Sequence, residues 1–243
     1  MREDMSPFFI APHRFDAPED DVAPVLDRHH ELVPEPGERV LGKYLTSVAG
    51  CLLSPTGTRR HWVLPAPASV TVTDRRLAYV CLAGDLALVA GKIDSTGVRH
   101  RRAVRLPRLV SGQIRWQWPS RLELRSTAPL AATRGTGPEA ELLVVCDALR
   151  TIQQPTLALG GPVGPVTELA RLIRRTVACF RVNRPELVEL APPERDVLIR
   201  RATAAPLTGE ARVTLPGSLP VEFLSRDDYY RVPARAGQDA VGI

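Results

Sequence analysis

The fold of this chain is decided by the stretch Ser69-Val-Thr-Val-Thr-Asp74-Arg75-Arg76-Leu77-Ala-Tyr79-Val80. Apolar and polar residues alternate with a period of two on both sides of the charged residues Asp74, Arg75 and Arg76. This alternation around a short polar reversal predicts a β-hairpin in an antiparallel sheet. The Asp74 carboxylate is expected to accept hydrogen bonds from backbone amides two residues further on, which would close the turn. Asp74 and Arg75 are therefore expected to be structural residues.

Short apolar runs surround the hairpin from Glu38 to about Pro162 and predict further strands. Turn-forming residues separate these runs, and the insert Ala131–Pro138 is a loop by composition. A series of roughly seven or eight short strands with turn signals between them is typical of a β-sandwich or a β-barrel. The predicted strands outside the hairpin are Val40–Leu53, His61–Leu64, Leu86–Ala90, Val104–Leu106, Leu109–Trp118, Leu122–Leu124, Glu141–Cys146 and Thr156–Leu159.

One amphipathic helix follows the strands. Pro165 suits its first position, and Pro185 ends it. We expect the apolar stripe of this helix to cover the mouth of a barrel. A second, shorter helix is predicted over residues 192–205, where Pro193 suits the start and Glu194 suits the helix dipole. The stripe of the first helix consists of Val166, Leu169, Ile173, Val177 and Phe180, and the arginines off the stripe are Arg171, Arg174, Arg175 and Arg181.

The two ends of the chain differ in composition from its middle. Residues 1–36 combine recurrent proline with the acidic cluster Glu19-Asp20-Asp21, so we expect a disordered arm rich in proline and acid. Residues 37–183 form the predicted folded domain. Residues 184–243 are expected to be an extended C-terminal tail, partly ordered, that contains the short helix.

The hairpin also resembles a known family. Val72-Thr73-Asp74-Arg75-Arg76-Leu77-Ala78-Tyr79-Val80 is similar to the bacterial PH-like and GRAM-like branch of the pleckstrin-homology superfold, in which a strand ending in Leu-Thr-(Asp/Asn) precedes Arg-Leu and a hydrophobic strand. Arg105-Leu-Pro-Arg-Leu-Val-Ser-Gly-Gln-Ile114 is similar to a later segment of that family. The resemblance covers about Glu38 to Val182. It implies a mainly β (α+β) fold, a PH-like antiparallel β-barrel of about seven strands that one C-terminal amphipathic helix caps.

Composition restricts the classes of function. The chain has 243 residues and a formal net charge of +5, and nearly all of its basic residues are arginine, which is typical of a GC-rich genome. Cys51, Cys81, Cys146 and Cys179 are too widely spaced for a metal knuckle or a redox pair, and we expect buried, reduced thiols. The sequence contains no nucleophile elbow, helical His-Glu-x-x-His motif or phosphate loop. Its first residues lack a basic region followed by an apolar one, so we expect no signal peptide. We therefore expect no catalytic residues, no metal and no cofactor, and a cytoplasmic location, at most peripheral to the inner face of the membrane.

One basic segment is a candidate anion-binding site. Six basic residues and no acid lie between Arg99 and Arg108. Together with Arg115 and the neighbouring Trp116 and Trp118, they could bind the phosphates of anionic lipid or of nucleic acid. The alternative is a solvated loop and strand edge whose charge blocks edge-to-edge pairing, with the two tryptophans in the core. The candidate anion-binding residues are Arg99, His100, Arg101, Arg102, Arg105, Arg108 and Arg115.

A non-enzymatic binding or scaffolding role, in which the chain engages a protein partner, is the leading expectation. Peripheral attachment to an anionic membrane through Arg99–Arg108 is the first alternative. Nucleic-acid binding is the second, and an enzyme assembled from distant residues is the third. The candidate partner surface comprises Trp116, Trp118, Arg171, Arg174 and Arg175.

Overall fold

The structure is a computed structural model, and it describes residues 24–57, 59–82, 109–127, 139–148, 152 and 154–221. The fold is mainly β, with two helices after the seventh strand. The elements are β1 (Val40–Leu53), β2 (Arg59–Thr73), β3 (Arg76–Leu82), β4 (Leu109–Arg115), β5 (Pro119–Thr127), β6 (Glu139–Cys146), β7 (Gln154–Pro162), α1 (Val163–Asn183), α2 (Pro192–Thr203) and β8 (Ala211–Thr214).

All eight strands belong to one antiparallel sheet, in the order β4-β3-β2-β1-β7-β6-β5-β8. The predicted hairpin is confirmed, since Val70 faces Tyr79 and Val72 faces Leu77 across β2 and β3. The long strand β1 pairs with β2 on one side and with β7 on the other, so it joins the two halves of the sheet. The sequence analysis did not predict β8, which pairs with the outer edge of β5.

Two predicted strand boundaries were wrong. His61–Leu64 and the first strand of the hairpin are one continuous strand, β2, despite the intervening prolines. The register explains this, because Val48 pairs with Ala66 but Gly50 pairs with Val63, so one residue of β1 opposes two of β2. Pro65 lies in the resulting bulge, where a missing amide donor does little harm.

The second correction concerns the predicted strand Leu109–Trp118, which ends at Arg115. Residues 116–118 form a turn that leads directly into β5. The alternation that placed Trp116 and Trp118 on one face of a strand therefore does not apply to them. The predicted strands Leu86–Ala90 and Val104–Leu106 and the predicted loop Ala131–Pro138 lie outside the described residues.

Helix α1 confirms the predicted amphipathic helix, and α2 confirms the shorter one. Helix α1 begins at Val163, two residues before Pro165, and all five residues of its predicted stripe are buried. Helix α2 buries a single side chain, Leu198, and packs against α1. Its largely polar surface is therefore available to solvent.

The core lies between α1 and the inner face of the sheet. Because side chains of a strand alternate between its two faces, Val72 of β2, Leu77 of β3 and Leu142 of β6 point inward. These residues share one apolar cluster with Leu169 and Ile173 of α1. Burial of each such aliphatic side chain contributes about 1.5–3 kcal/mol to stability.

Residues 24–38 contact the outer face of the sheet, on the side away from α1. Leu26 and Leu32 form an isolated bridge, and Glu31 forms an ion pair with Lys43 of β1 at 2.7 Å. Residues 24–36 belong to the segment that the sequence analysis expected to be a disordered arm. The rest of that arm, residues 1–23, and the tail from residue 222 onward lie outside the described residues.

Candidate anion-binding sites

The predicted basic segment Arg99–Arg108 lies outside the described residues. Of the seven candidate anion-binding residues, only Arg115 is described, at the end of β4. Its guanidinium donates to the Glu35 carboxylate through Nη2 at 2.7 Å. Arg115 therefore takes part in an ionic cluster on the outer face of the sheet.

Trp116 and Trp118, expected on a partner surface, are core side chains with exposures of 0% and 1%. The turn between β4 and β5 directs both indoles inward, and the Trp116 indole donates to the Thr73 carbonyl at 2.9 Å. This burial agrees with the alternative interpretation of the two tryptophans. They contribute nothing to an exposed surface.

The predicted arginines of α1 have three different environments. Arg171 forms an ion pair with Glu168 one helical turn earlier. Arg174 is buried, and its Nη2 donates to the carbonyls of Ala204 and Ala205 just after α2, at 2.6 and 2.5 Å. Arg175 is exposed, and it forms no ion pair within the described chain.

Two arginines of α2 extend this basic surface, and the sequence analysis did not select them. Burial lowers the pKa of Arg174, and the nearby charges of Arg201 and Arg171 lower this pKa further. Arg200 is exposed beside Arg201 in the last turn of α2. The sequence did contain a signal for these two residues, because Arg200 and Arg201 form an arginine pair at the end of the predicted second helix. We call the combined surface the helix basic face, which consists of Arg171, Arg174, Arg175, Arg200 and Arg201.

A second site begins with a tight turn in Glu35-Pro36-Gly37-Glu38. The Glu38 amide donates to the Glu35 carbonyl at 2.9 Å, and Gly37 has a φ of 73°. Proline followed by glycine at the two central positions is the signature of a type II turn, because the second position requires a positive φ. The turn directs both carboxylates toward the sheet. We call Glu35–Glu38 the acidic turn.

Glu38 forms a buried ion pair with Arg76. Arg76 Nε and Nη2 donate to the two Glu38 oxygens at 2.9 and 2.7 Å, and the Glu38 side chain is 0% exposed. The Thr73 hydroxyl donates to the same carboxylate at 2.6 Å, and the Glu35 amide does so at 2.6 Å. Such a bidentate pair fixes both side chains in one geometry.

Glu35 lies among three arginines that we call the arginine cradle: Arg75, Arg76 and Arg115. The nitrogen–oxygen distances are 2.7 Å to Arg115, 3.2 Å to Arg76 and 3.5 Å to Arg75. The Glu35 side chain remains 27% exposed, in contrast to Glu38. Glu35 is therefore the solvent-facing member of the cluster.

Both carboxylates stay charged at neutral pH. Burial raises the pKa of each, but hydrogen bonds outweigh this effect, so both pKa values lie below the ordinary range. Arg115 contributes most to lowering the pKa of Glu35. Arg76 and then Thr73 contribute most to lowering the pKa of Glu38.

The hairpin turn itself closes differently from the prediction. The Thr73 hydroxyl, and not the Asp74 carboxylate, accepts from the amides of Arg75 and Arg76, at 3.1 and 2.9 Å. Asp74 instead accepts from the amide of Arg39 at 2.9 Å and from its guanidinium at 3.2 Å. Threonine hydroxyls close turns by the same geometry as aspartate. Asp74 and Arg75 do make structural contacts, as expected.

Three of the four cysteines are buried as expected, whereas Cys179 is exposed on α1. Burial raises the pKa of Cys51 to about 11 and that of Cys146 to about 12. These two thiols are therefore poor nucleophiles at neutral pH. Within the described chain, no cluster of His, Cys, Asp and Glu suits a metal ion, and neither helix could cross a bilayer.

Comparison of the chain with protein-family models, with curated proteins and with solved structures gives no match.

Proposed function

We propose that the chain is a PH-like module, a partly open β-barrel capped by α1, that binds an acidic protein partner through the helix basic face. The module acts by recognition, without chemistry of its own. The observation that carries this proposal is the exposed positive charge of Arg175 and Arg200, neither of which forms an ion pair with any described residue.

The path of the chain between β4 and β5 supports a barrel. These strands lie six places apart in the sheet order, yet only residues 116–118 connect them. A flat sheet would separate them by about 29 Å, since neighbouring strands lie about 4.8 Å apart. A link of this length spans at most about 14 Å. This short link supports a curled sheet, in which β4 and β5 approach each other.

The strand order supports the PH-like relationship as well. Two antiparallel meanders, β1–β4 and β5–β7, meet at β1 and β7, and one helix follows immediately after the last of these strands. The α1 stripe enters the core that the two meanders share. This is the order of elements that the resemblance implies.

The charges of the helix basic face support an acidic partner. Glu168 neutralises Arg171, but Arg174 and Arg201 each have a shielded Nε that finds no acceptor in the described structure. Clustered arginines steer acidic partners and form bidentate contacts with carboxylates. An acidic protein surface would pair with the exposed guanidinium groups of Arg175 and Arg200.

The test begins with a partner captured from the native host by the full chain, purified, and titrated at low and at high salt. We expect R175E/R200E to weaken binding about tenfold or more at low salt, because both substitutions reverse exposed charges. R28E is the control, since Arg28 is exposed in the segment before β1 and forms no ion pair within the described chain. Unchanged affinity of R175E/R200E would exclude the helix basic face as the binding surface.

Two further assays separate the proposal from its alternatives. Anionic vesicles and duplex DNA are offered to the same three proteins in place of the partner. Binding to either one that survives R175E/R200E would favour the predicted Arg99–Arg108 segment and its lipid or nucleic-acid ligand over a protein partner.

A further inference from the structure

We propose that the first half of β1 is a docking edge for Phe8-Phe9-Ile10 of the same chain. The exposed apolar side chains of this site lie on the outer face of the sheet, opposite α1. The proposal therefore does not depend on the proposed function, which places a partner on the helix basic face.

Exposed apolar side chains are concentrated at this place. Five of the eight large apolar side chains that the described chain exposes lie in the segment before β1 or in the first half of β1. Such a concentration marks an interaction surface. The five residues are Val25, Val33, Val40, Leu41 and Leu45, and Leu45 is the most exposed of them, at 86%.

One ion pair brings the two parts of this surface together. The Val33 amide donates to the Val25 carbonyl at 2.8 Å, so these two residues are neighbours. The same segment contacts β1 through the ion pair with Lys43, at 2.7 Å. Leu45 lies two residues further along β1 and therefore shares the face of Lys43. The apolar side chains of the segment and of the strand form one surface.

The first half of β1 also has a free backbone edge in the described sheet. Val40–Thr46 pairs with β2 on one side, but pairing with β7 on the other side begins only at Ser47. An open edge is a template for an added strand, which bonds to the edge through its main chain. The side chains of an extended segment laid along this edge would pack beside Leu41 and Leu45.

The chain itself supplies such a segment. The described residues begin at Pro24, which is buried, directly before Val25. Phe8-Phe9-Ile10 is the longest run of large apolar residues in the part of the arm before Pro24. Residues 11–23 connect this run to Pro24 and can span about 45 Å, whereas Val40–Thr46 is about 23 Å long. The run can therefore reach the whole edge.

A tether favours the chain's own arm over a separate partner. A short flexible linker holds a segment at an effective concentration in the millimolar range, so even a weak contact is occupied most of the time. Phenylalanine side chains supply a large apolar surface for such a contact. The docked arm would also cover an apolar edge strand, which is otherwise a site of aggregation.

The first experiment measures amide hydrogen exchange of Val40–Thr46 in the full chain. Docking for about nine-tenths of the time slows exchange at the free edge about tenfold, so we expect F8S/F9S/I10S to raise these rates by about that factor. F15S is the matched control, because it removes a phenylalanine from the same arm but outside the run.

The second experiment changes the docking edge and measures the arm. Chymotrypsin cleaves after Phe8, Phe9 and Phe15, and only the first two lie within the docked run. We expect L45D to speed cleavage at Phe8 and Phe9 about tenfold relative to Phe15, because proteolysis follows the population of the undocked arm. I152D is the matched control, since Ile152 is a similarly exposed apolar residue, at 78%, outside β1.

Several outcomes would overturn the proposal. They are unchanged exchange in F8S/F9S/I10S, an equal change in F15S, unchanged cleavage in L45D, or an equal change in I152D. Protection of Val40–Thr46 that rises with protein concentration would overturn it as well, because the arm of a second copy would then occupy the edge.

Discussion

Arg76 and Arg181 are both buried arginines, yet the structure neutralises them in different ways. Arg76 is matched by the Glu38 carboxylate and by the Gln113 side-chain oxygen, at 2.6 to 2.9 Å. Arg181 is 0% exposed and contacts no carboxylate of the described chain. Its guanidinium instead donates to four backbone carbonyls, those of Trp116, Pro119, Leu215 and Pro216, at 2.6 to 3.0 Å.

The difference shows two ways of holding a chain together. The Glu38–Arg76 pair joins the acidic turn to one hairpin. Arg181 extends from α1 and donates hydrogen bonds to the link between β4 and β5 and to the segment after β8. A single side chain therefore connects three segments of the backbone. Burial lowers the pKa of Arg181 to about 9, because the guanidinium has lost its hydration. The carbonyls must compensate for that loss.

The largest effect is expected from R181M. Methionine fills a similar volume but leaves four carbonyls without their donor, so we expect a loss of about 4 kcal/mol or more in the free energy of unfolding. Urea denaturation followed by tryptophan fluorescence measures it. R175M, at an exposed position of the same helix, should lie within about 0.5 kcal/mol of wild type. A loss for R181M no larger than that for R175M would show that the carbonyls need no donor.

A smaller loss, about 3 kcal/mol, is expected from E38Q, because it removes the buried countercharge of Arg76 and leaves only the partly exposed Glu35 carboxylate, at 3.2 Å. The double variant E38L/R76M should recover most of this loss, since a buried ion pair is often replaceable by apolar side chains. Urea denaturation again gives the values. Failure of the double variant to recover would mean that the Glu38–Arg76 pair, like Arg181, is required for its connections to the backbone.

Low pH should affect the stability contributions of the Glu38–Arg76 pair and of Arg181 differently. The pKa of Glu38 in the folded chain lies below its ordinary value, so its contribution to stability is present above about pH 4.3 and is lost as the pH falls through the folded pKa. The difference in unfolding free energy between wild type and E38Q should therefore shrink below about pH 4.3. The difference between wild type and R181M should stay constant there, since Arg181 remains protonated. Denaturant titrations across the acid range test this, and a constant E38Q difference would contradict it.

A feature of the fold could be predicted from the sequence when the residues that form it lie close together in the chain. The alternation around Asp74 and the stripe from Val166 to Phe180 are local patterns, and both predicted the correct element. The partners of Arg181 lie 34 to 65 residues away in the chain. No local pattern distinguishes this arginine from the exposed Arg175, so its burial could not be predicted.

The acidic turn differs from Arg181, because a local pattern in the sequence did indicate it. The proline-rich and acidic composition of the surrounding segment led to a different interpretation. Pro36-Gly37 is a turn dipeptide, and the flanking glutamates mark its ends. The surrounding prolines and acids favoured an interpretation as a disordered arm. What no local pattern contains is the position of Arg76, 38 residues further along the chain.

The smallest effect concerns the hydroxyl that connects the hairpin to the acidic turn. T73V removes the acceptor for the amides of Arg75 and Arg76 and the donor to Glu38, so we expect a loss of about 1.5 kcal/mol. T71V is the matched control, because Thr71 lies two residues earlier on the same face of β2 and its hydroxyl bonds no described residue. Combining T73V with E38Q should cost less than the sum of the two, since they share one hydrogen bond. Strict additivity in urea denaturation would show that the hairpin turn and the acidic turn are stabilised independently.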